Sequence, residues 1–484
     1  MASNAAPLLQ HGSGSGLSLG MVAKIKTSTR KWKERAHDHA MDQAMAVGFG
    51  DFTAGKHVQN RWKHEGDDVA DHKKWGEKSY KDVSGQTNTE AVMNLLNNCL
   101  GSGVLCVPLV FKNCGVLASL IMLAISAVLN RYGLMLILKC MYITDVEASY
   151  NGVGRVAFGN AGRLAVVGIF IAMGFGCLVS YVDATADAVG DLIKLATGKT
   201  FSKLSLQLGC ITVLYPPTYI RSLKNVVPIS IASFIGALIV VACVSVQCIA
   251  GIATEGIQGQ IRLMPESPIM FLKSIPTCLT CMSIQAGGSI TMSSLADGSE
   301  KNKGKVSFIA YIVVFLVDLS IGLPSYLRFL DDTQGNVLSS LNPTAVLTVI
   351  AKVCVLDLVV PSYMFMMIPC RVAIIELLFG KNEAKMEATW LQFFGVTTAV
   401  NIAAVAVATA VSDLSLVIGL VGAIAANSVA FILPSIFFMK ARSKPVVDDI
   451  SPVPFWSVKN VGSYLLVLFS FFSMFSGVYF LLVG

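Results

Sequence analysis

The stretch Asn97-Asn98-Cys99-Leu100-Gly101-Ser102-Gly103-Val104-Leu105-Cys106-Val107-Pro108 holds two glycines and a serine in the middle of an apolar run. Glycine accepts backbone angles that other residues resist, and a serine hydroxyl competes for backbone hydrogen bonds. A helix built on these residues can therefore open at Gly101, Ser102 and Gly103 and expose amide and carbonyl groups. In transporters, interrupted helices of this kind are where substrates and ions bind. Small residues equally let two helices approach closely, so the stretch alone supports both readings.

Other reactive side chains narrow the chemistry mainly by exclusion. All six histidines (His11, His37, His39, His57, His64, His72) precede residue 89, which leaves the apolar part without imidazole for a haem, a zinc site or a proton relay. The twelve cysteines all lie at or beyond Cys99, mostly inside apolar runs, and read as small buried residues. Cys278 and Cys281 form a CxxC with no second pair and no histidine, too little for a structural metal site. No HExxH and no convincing GxSxG occur, so nucleophilic or metal catalysis has no carrier and an enzyme is the weakest reading. No cofactor is expected beyond a coupling ion.

The elements that position these residues follow from composition. The 484 residues are 54% hydrophobic and 14% charged, against about 25% charged for an average soluble protein. A crossing helix needs about 20 mostly apolar residues, and eleven such segments are expected: 90–113, 115–140, 163–190, 205–220, 226–251, 271–293, 306–327, 344–374, 388–411, 415–439 and 461–483. The fourth is short and carries Pro216 and Pro217. With the N-terminus cytoplasmic, the inner loops collect most of the Lys and Arg, which fixes the orientation by the positive-inside rule. The formal charge of +7 thus gathers beside membrane segments, and no nucleic-acid partner is expected. Residues 1–88 are polar and read as a largely disordered cytoplasmic tail, with a weak dileucine at Leu8 and Leu9 and no signal-peptide pattern. The transport domain is expected over 89–484.

Six charges remain inside the apolar segments: Arg131, Asp183, Asp187, Asp318, Lys352 and Asp357. Counting about 1.5 Å per residue puts Arg131 level with Asp357, and Asp318 level with Lys352, which makes two candidate ion pairs. Asp187 falls at the outer interface. Asp183 is then left without a cation and becomes the candidate titrating carboxylate, although depth alone leaves the other assignment open.

The opening stretch, followed by Asn113-Cys114-Gly115, resembles the first helix of the amino acid/auxin permease family, which includes the system A/N neutral amino acid transporters within the amino acid-polyamine-organocation superfamily. Ser149-Tyr150 through Ala157-Phe158-Gly159, Ile220-Arg221-Ser222-Leu223-Lys224, Ile368-Pro369-Cys370-Arg371 with Glu376-Leu377-Leu378, and Leu420-Val421-Gly422-Ala423 with Phe431-Ile432-Leu433-Pro434 resemble further family segments in order. The resemblance implies an all-α membrane protein of the LeuT type, with helices 1–5 and 6–10 as inverted repeats and one extra helix. On that scheme helix 6 partners helix 1, and it holds Ser283-Ile284-Gln285-Ala286-Gly287-Gly288-Ser289. Helix 6 departs from the family, which has aromatic residues and a later proline where this chain has Cys281, Ser283 and Ile290.

The implied substrate set is Asn98, Gly101, Ser102, Gly103, Ser283, Gln285, Gly287 and Gly288. A helix N-terminus would attract the carboxylate of a small amino acid and open carbonyls would accept from its ammonium. Asn97 and Ser362 match positions that hold sodium in sodium-coupled members, while proton-coupled relatives do without it; both couplings stay open. The expected function is secondary transport of small neutral amino acids by a monomer in the plasma or vacuolar/lysosomal membrane. The alternative is a transport-like receptor that senses amino acids and signals through its tail.

Overall fold

The computed structural model describes residues 86–146, 150–219, 227–379, 388–411, 414–447 and 450–483. In hydrocarbon the backbone must satisfy its own polar groups, and among the described residues it does so as helix, with one isolated bridge between Gln86 and Leu295. The expected tail lies outside the described residues up to residue 85. Beyond it, Gln86 donates its backbone N–H to Ser294 and accepts from Ala296.

The first apolar segment is two helices, α1 (Asn88–Cys99) and α2 (Val107–Cys114), separated by a 3-10 turn over Ser102–Cys106 and bent by 59°. Thr87 and Glu90 form a capping box that starts α1. α3 (Val116–Ile143) and α4 (Tyr150–Thr197) follow. α4 turns sharply at Gly159, whose φ of 65° suits a residue without a side chain. α5 (Lys203–Leu214) is short and ends in a 3-10 turn at Pro216–Tyr219; α6 (Val227–Glu255) crosses back.

The second half begins with α7 (Pro268–Cys281) and α8 (Gln285–Ser293), again an interrupted pair. α9 (Glu300–Phe329), the short α10 (Val337–Ser340), α11 (Val346–Phe379) and α12 (Trp390–Ala410) come next. α13 (Leu414–Val421) and α14 (Leu433–Ser443) flank two π-helical stretches, Gly422–Ala426 and Ser428–Ile432, and α15 (Val461–Val483) closes the described chain.

Among the described residues, eight helices are long and apolar enough to cross a membrane, and the bent α1–α2 pair makes a ninth. The other two expected crossings, 205–220 and 271–293, fall on α5, at 12 residues, and on α7 plus α8, at 14 and 9. None of these reaches the continuous length of the eight unbroken crossings, because each is cut where Pro216 and Pro217, or the turn after Cys281, end the helix.

α9 packs against α6, α2, α1 and α3, whereas α11 packs against α4 and α6. α15 runs along α7 and α14 and is the least buried of the crossing helices. Ile121, Ile125 and Val128 on α3 and Leu465, Leu468 and Phe472 on α15 are exposed. Such apolar outer faces suit hydrocarbon rather than water.

Candidate functional site

α1 stops at Cys99 because Leu100 leaves the helical region at φ −77° and ψ 85°. Gly101 then runs extended, and the chain tightens into the 3-10 turn. α2 restarts with Pro108 in its first turn, where a missing N–H leaves no bond unmade. α7 stops at Cys281, and Met282, Ser283 and Ile284 are non-helical before α8 begins. The two breaks abut. Cys99 Sγ donates to the carbonyl of Cys281 at 2.8 Å, and Cys281 Sγ donates to the carbonyl of Gly103 at 3.2 Å. Each thiol thus caps a carbonyl that the opposite break sets free.

The sequence places the second opening at Gly287 and Gly288, but both lie inside α8. Their missing side chains make room instead. A Cβ on Gly287 would stand 2.3 Å from Asn98 Oδ1, and one on Gly288 would stand 3.3 Å from Leu95 and from Leu134. The glycine pair therefore lets α8 lie close against α1 and α3, as small residues do between membrane helices. Asn98 is otherwise tied to its own helix through the Asn94 carbonyl at 2.9 Å.

Gln285, expected to face substrate, is fully buried and turned toward α3. Its Nε2 donates to the Asn130 carbonyl at 2.9 Å and to Asn130 Oδ1 at 2.8 Å, while its Oε1 accepts from Ser283 Oγ at 2.9 Å. Asn130 Nδ2 in turn reaches the Leu279 carbonyl at 3.3 Å, and Ser126 Oγ reaches that of Cys278 at 3.2 Å. This buried network holds the end of α7 and the start of α8 on α3. Sequence reasoning missed Asn130, although a lone asparagine inside an apolar helix is a signal of such glue.

At the first break, a Cβ on Gly101 would lie 3.3 Å from the hydroxyl of Tyr181, a buried α4 residue that also faces Ser362 on α11. Gly101, Tyr181 and Ser362 thus gather at one place. Ser362 donates to the Leu358 carbonyl of its own helix at 2.7 Å. Asn97 lies half-buried two residues before the end of α1. The Ser102 side chain lies outside what the structure describes. Tyr181 had no sequence signal beyond its place in an apolar helix.

The two depth-matched ion pairs do not form. Lys352 is buried and pairs with Asp191 of α4 at 2.7 Å, not with Asp318. Arg131 donates to the Gly304 carbonyl at 3.1 Å and lies over the Phe308 ring, while Asp357 is exposed and faces Gly236 of α6. Depth fixes height along a helix but not which face or neighbour a side chain meets, and among the described residues α9 and α11 are not major packing partners. Asp183 is corrected too: Lys203 stands 3.4 Å from its Oδ1 and Gln207 Nε2 donates to the same oxygen at 2.8 Å. Asp187 shares Lys203 at 3.4 Å. Asp318, 1% exposed, has neither oxygen hydrogen-bonded.

All twelve cysteines are free, and among the described residues no three His, Cys, Asp or Glu side chains gather to hold a metal ion. A helical membrane bundle in which two interrupted helices meet at their breaks is the arrangement on which transporters build their sites. The chain belongs to the transmembrane amino acid transporter family, whose model matches residues 84–483. It is a multi-pass membrane protein of amino acid transport, and its family is one of transporters rather than enzymes. It is 23% identical to vacuolar amino acid transporter 5 of Schizosaccharomyces pombe, over 75% of this chain and 87% of that protein. It is 22% identical to vacuolar amino acid transporter 6 of Saccharomyces cerevisiae, over 72% and 89%. Solute carrier family 38 member 10 of Rattus norvegicus is 24% identical over 72% of this chain, which spans only 33% of that longer protein.

Proposed function

We propose that this chain is a monomeric secondary active transporter that moves small neutral amino acids by alternating access, coupled to Na⁺ or H⁺. The observation that carries the reading is the meeting of the α1–α2 and α7–α8 breaks, cross-capped by Cys99 and Cys281. The substrate carboxylate is assigned to the amide groups at the start of the 3-10 turn over Ser102–Cys106, and the ammonium to carbonyls freed at the two breaks. Asn98 and Ser283 border that space. Asn97 and Ser362 offer oxygens suited to a hard cation if Na⁺ is the coupling ion.

The same reading takes the short α5 and the split α7–α8 as crossings, which gives eleven spans, two inverted five-helix repeats and α15 outside them. The N-terminus is cytoplasmic. The vacuolar relatives favour a vacuolar or lysosomal membrane, with the plasma membrane as the other site. Purified protein in liposomes should accumulate labelled neutral amino acids when a proton or sodium gradient is imposed. Absence of both gradient-driven uptake and counterflow for all twenty amino acids would overturn the reading.

A further inference from the structure

Asp318 is one of few charged side chains buried in the helix bundle, and among the described residues neither of its oxygens has a hydrogen-bond or ionic partner. Its position is specific. One turn further along α9, a Cβ on Gly322 would lie 2.8 Å from Val107 and 2.6 Å from Phe111 of α2, so this face of α9 looks onto the α1–α2 junction. Cys99, at the end of α1, and Cys278 and Cys281, at the end of α7, lie within electrostatic range of Asp318. Asp318 therefore sits beside both breaks. Two turns earlier on the same face lies Tyr311, whose buried hydroxyl has no partner either and which also interacts with Cys99.

The groups that face it offer no fixed counter-charge. Three of them are the thiols of Cys99, Cys278 and Cys281. The cations and acids on the helices packed against α9 are engaged elsewhere: Lys112 with the Thr333 carbonyl, Arg131 with the Gly304 carbonyl, Lys139 with Glu300 and Arg328 with Glu255. Gly304 is fourteen residues before Asp318, about 21 Å along the helix. Cys248 of α6 bonds Ser325, two turns beyond. Lys301, Lys303 and Lys305 lie at the far start of α9. An ionised carboxylate left dry and unpaired is strongly disfavoured, whereas the protonated acid is neutral and tolerated.

We propose that Asp318 carries the coupling proton, an inference that rests on the proton-coupled form of the function proposed above. Its carboxyl takes a proton from water on the side where the breaks open. It stays neutral while Cys99 and Cys281 hold them together, and returns the proton to water on the other side. No bond other than O–H is made or broken. Asp183, tied to Lys203 and Gln207, does not serve this role.

The test uses full-length protein in liposomes, with labelled amino acid outside and a pH-sensitive dye inside. Wild type should accumulate substrate down a proton gradient and acidify the lumen; Asp318→Asn should lose both yet keep counterflow. Asp318→Glu should keep accumulation with a shifted pH midpoint, and it carries the test if the Asn variant does not fold. Asp357→Asn should behave as wild type. Gradient-driven accumulation with an unchanged pH profile in Asp318→Asn, or an unshifted midpoint in Asp318→Glu, overturns the proposal. Loss of counterflow in a folded Asp318→Asn also overturns it, because the carboxylate would then hold the substrate ammonium. Wild-type counterflow without gradient-driven accumulation or lumen acidification overturns proton coupling alone, and absence of wild-type counterflow overturns the transport reading itself.

Discussion

The two breaks are built differently. The α7–α8 break is clamped to α3 by the buried Gln285–Asn130 pair and by Ser126 on the Cys278 carbonyl. Around the α1–α2 break the backbone bonds are local, Leu100 N–H to the Leu96 carbonyl and Gly101 N–H to that of Cys99, and the bonds from elsewhere are the thiol cross-caps shared with Cys281, with the Tyr181 hydroxyl nearby. A satisfied buried polar network specifies one geometry, while a break held by a few local bonds can change its angle at small cost. On the proposed transport cycle, the α7–α8 side is accordingly the platform expected to stay fixed, and α1 the element expected to swing against it.

The largest effect should come from wedging the two apart. Gly287→Val puts a side chain into Asn98, costing about 1–3 kcal/mol of packing, and should abolish liposome uptake while the protein still inserts and purifies as one species. Trimming the neighbour with Asn98→Gly should restore part of the uptake; normal uptake by the single variant would show that α8 and α1 need not touch.

Next in size is the clamp. Gln285→Leu strands Asn130 and should lower stability by about 1–3 kcal/mol, seen as a lower melting temperature in detergent and weaker uptake. Because the two side chains share their bonds, adding Asn130→Leu should cost less than the sum of the singles. Additive losses would mean the clamp is not one unit.

A smaller change is expected at the first break. Gly101 has φ −122°, which any residue adopts, so Gly101→Ala is limited only by its 3.3 Å approach to Tyr181. Uptake should fall a few-fold and recover with Tyr181→Phe, which removes the crowding oxygen. A further loss in the double variant would assign Tyr181 a direct role in binding. The smallest effect belongs to Cys281→Ser, which keeps a donor for the Gly103 carbonyl and should lower the melting temperature less than Gln285→Leu does.

These differences explain what the sequence made legible. The first break was readable because Gly101, Ser102 and Gly103 lie on the break itself and Pro108, with its missing N–H, suits the restart of α2, although Gly101 and Gly103 take no angle reserved for glycine. The second break was placed at Gly287 and Gly288, five residues late, because glycine that serves close packing looks the same in sequence as glycine that serves unwinding. Asp183 and Asp318 exchanged places for a related reason. Which carboxylate meets a cation depends on which helices pack together, and neither composition nor depth encodes that Lys203 turns to Asp183 or Lys352 to Asp191. The thiol cross-caps of Cys99 and Cys281 had no signal at all, since each cysteine alone reads as a small buried residue.

The most direct test of a shared site at the two breaks is equilibrium binding of labelled neutral amino acids to purified protein, compared across wild type, Gly101→Val, Gly287→Val and Asp357→Asn. Wild type and Asp357→Asn should bind saturably with equal affinity, and the two valine variants should show no saturable binding while remaining folded. Wild-type affinity in both valine variants would contradict the account, because the substrate would then rest on neither break.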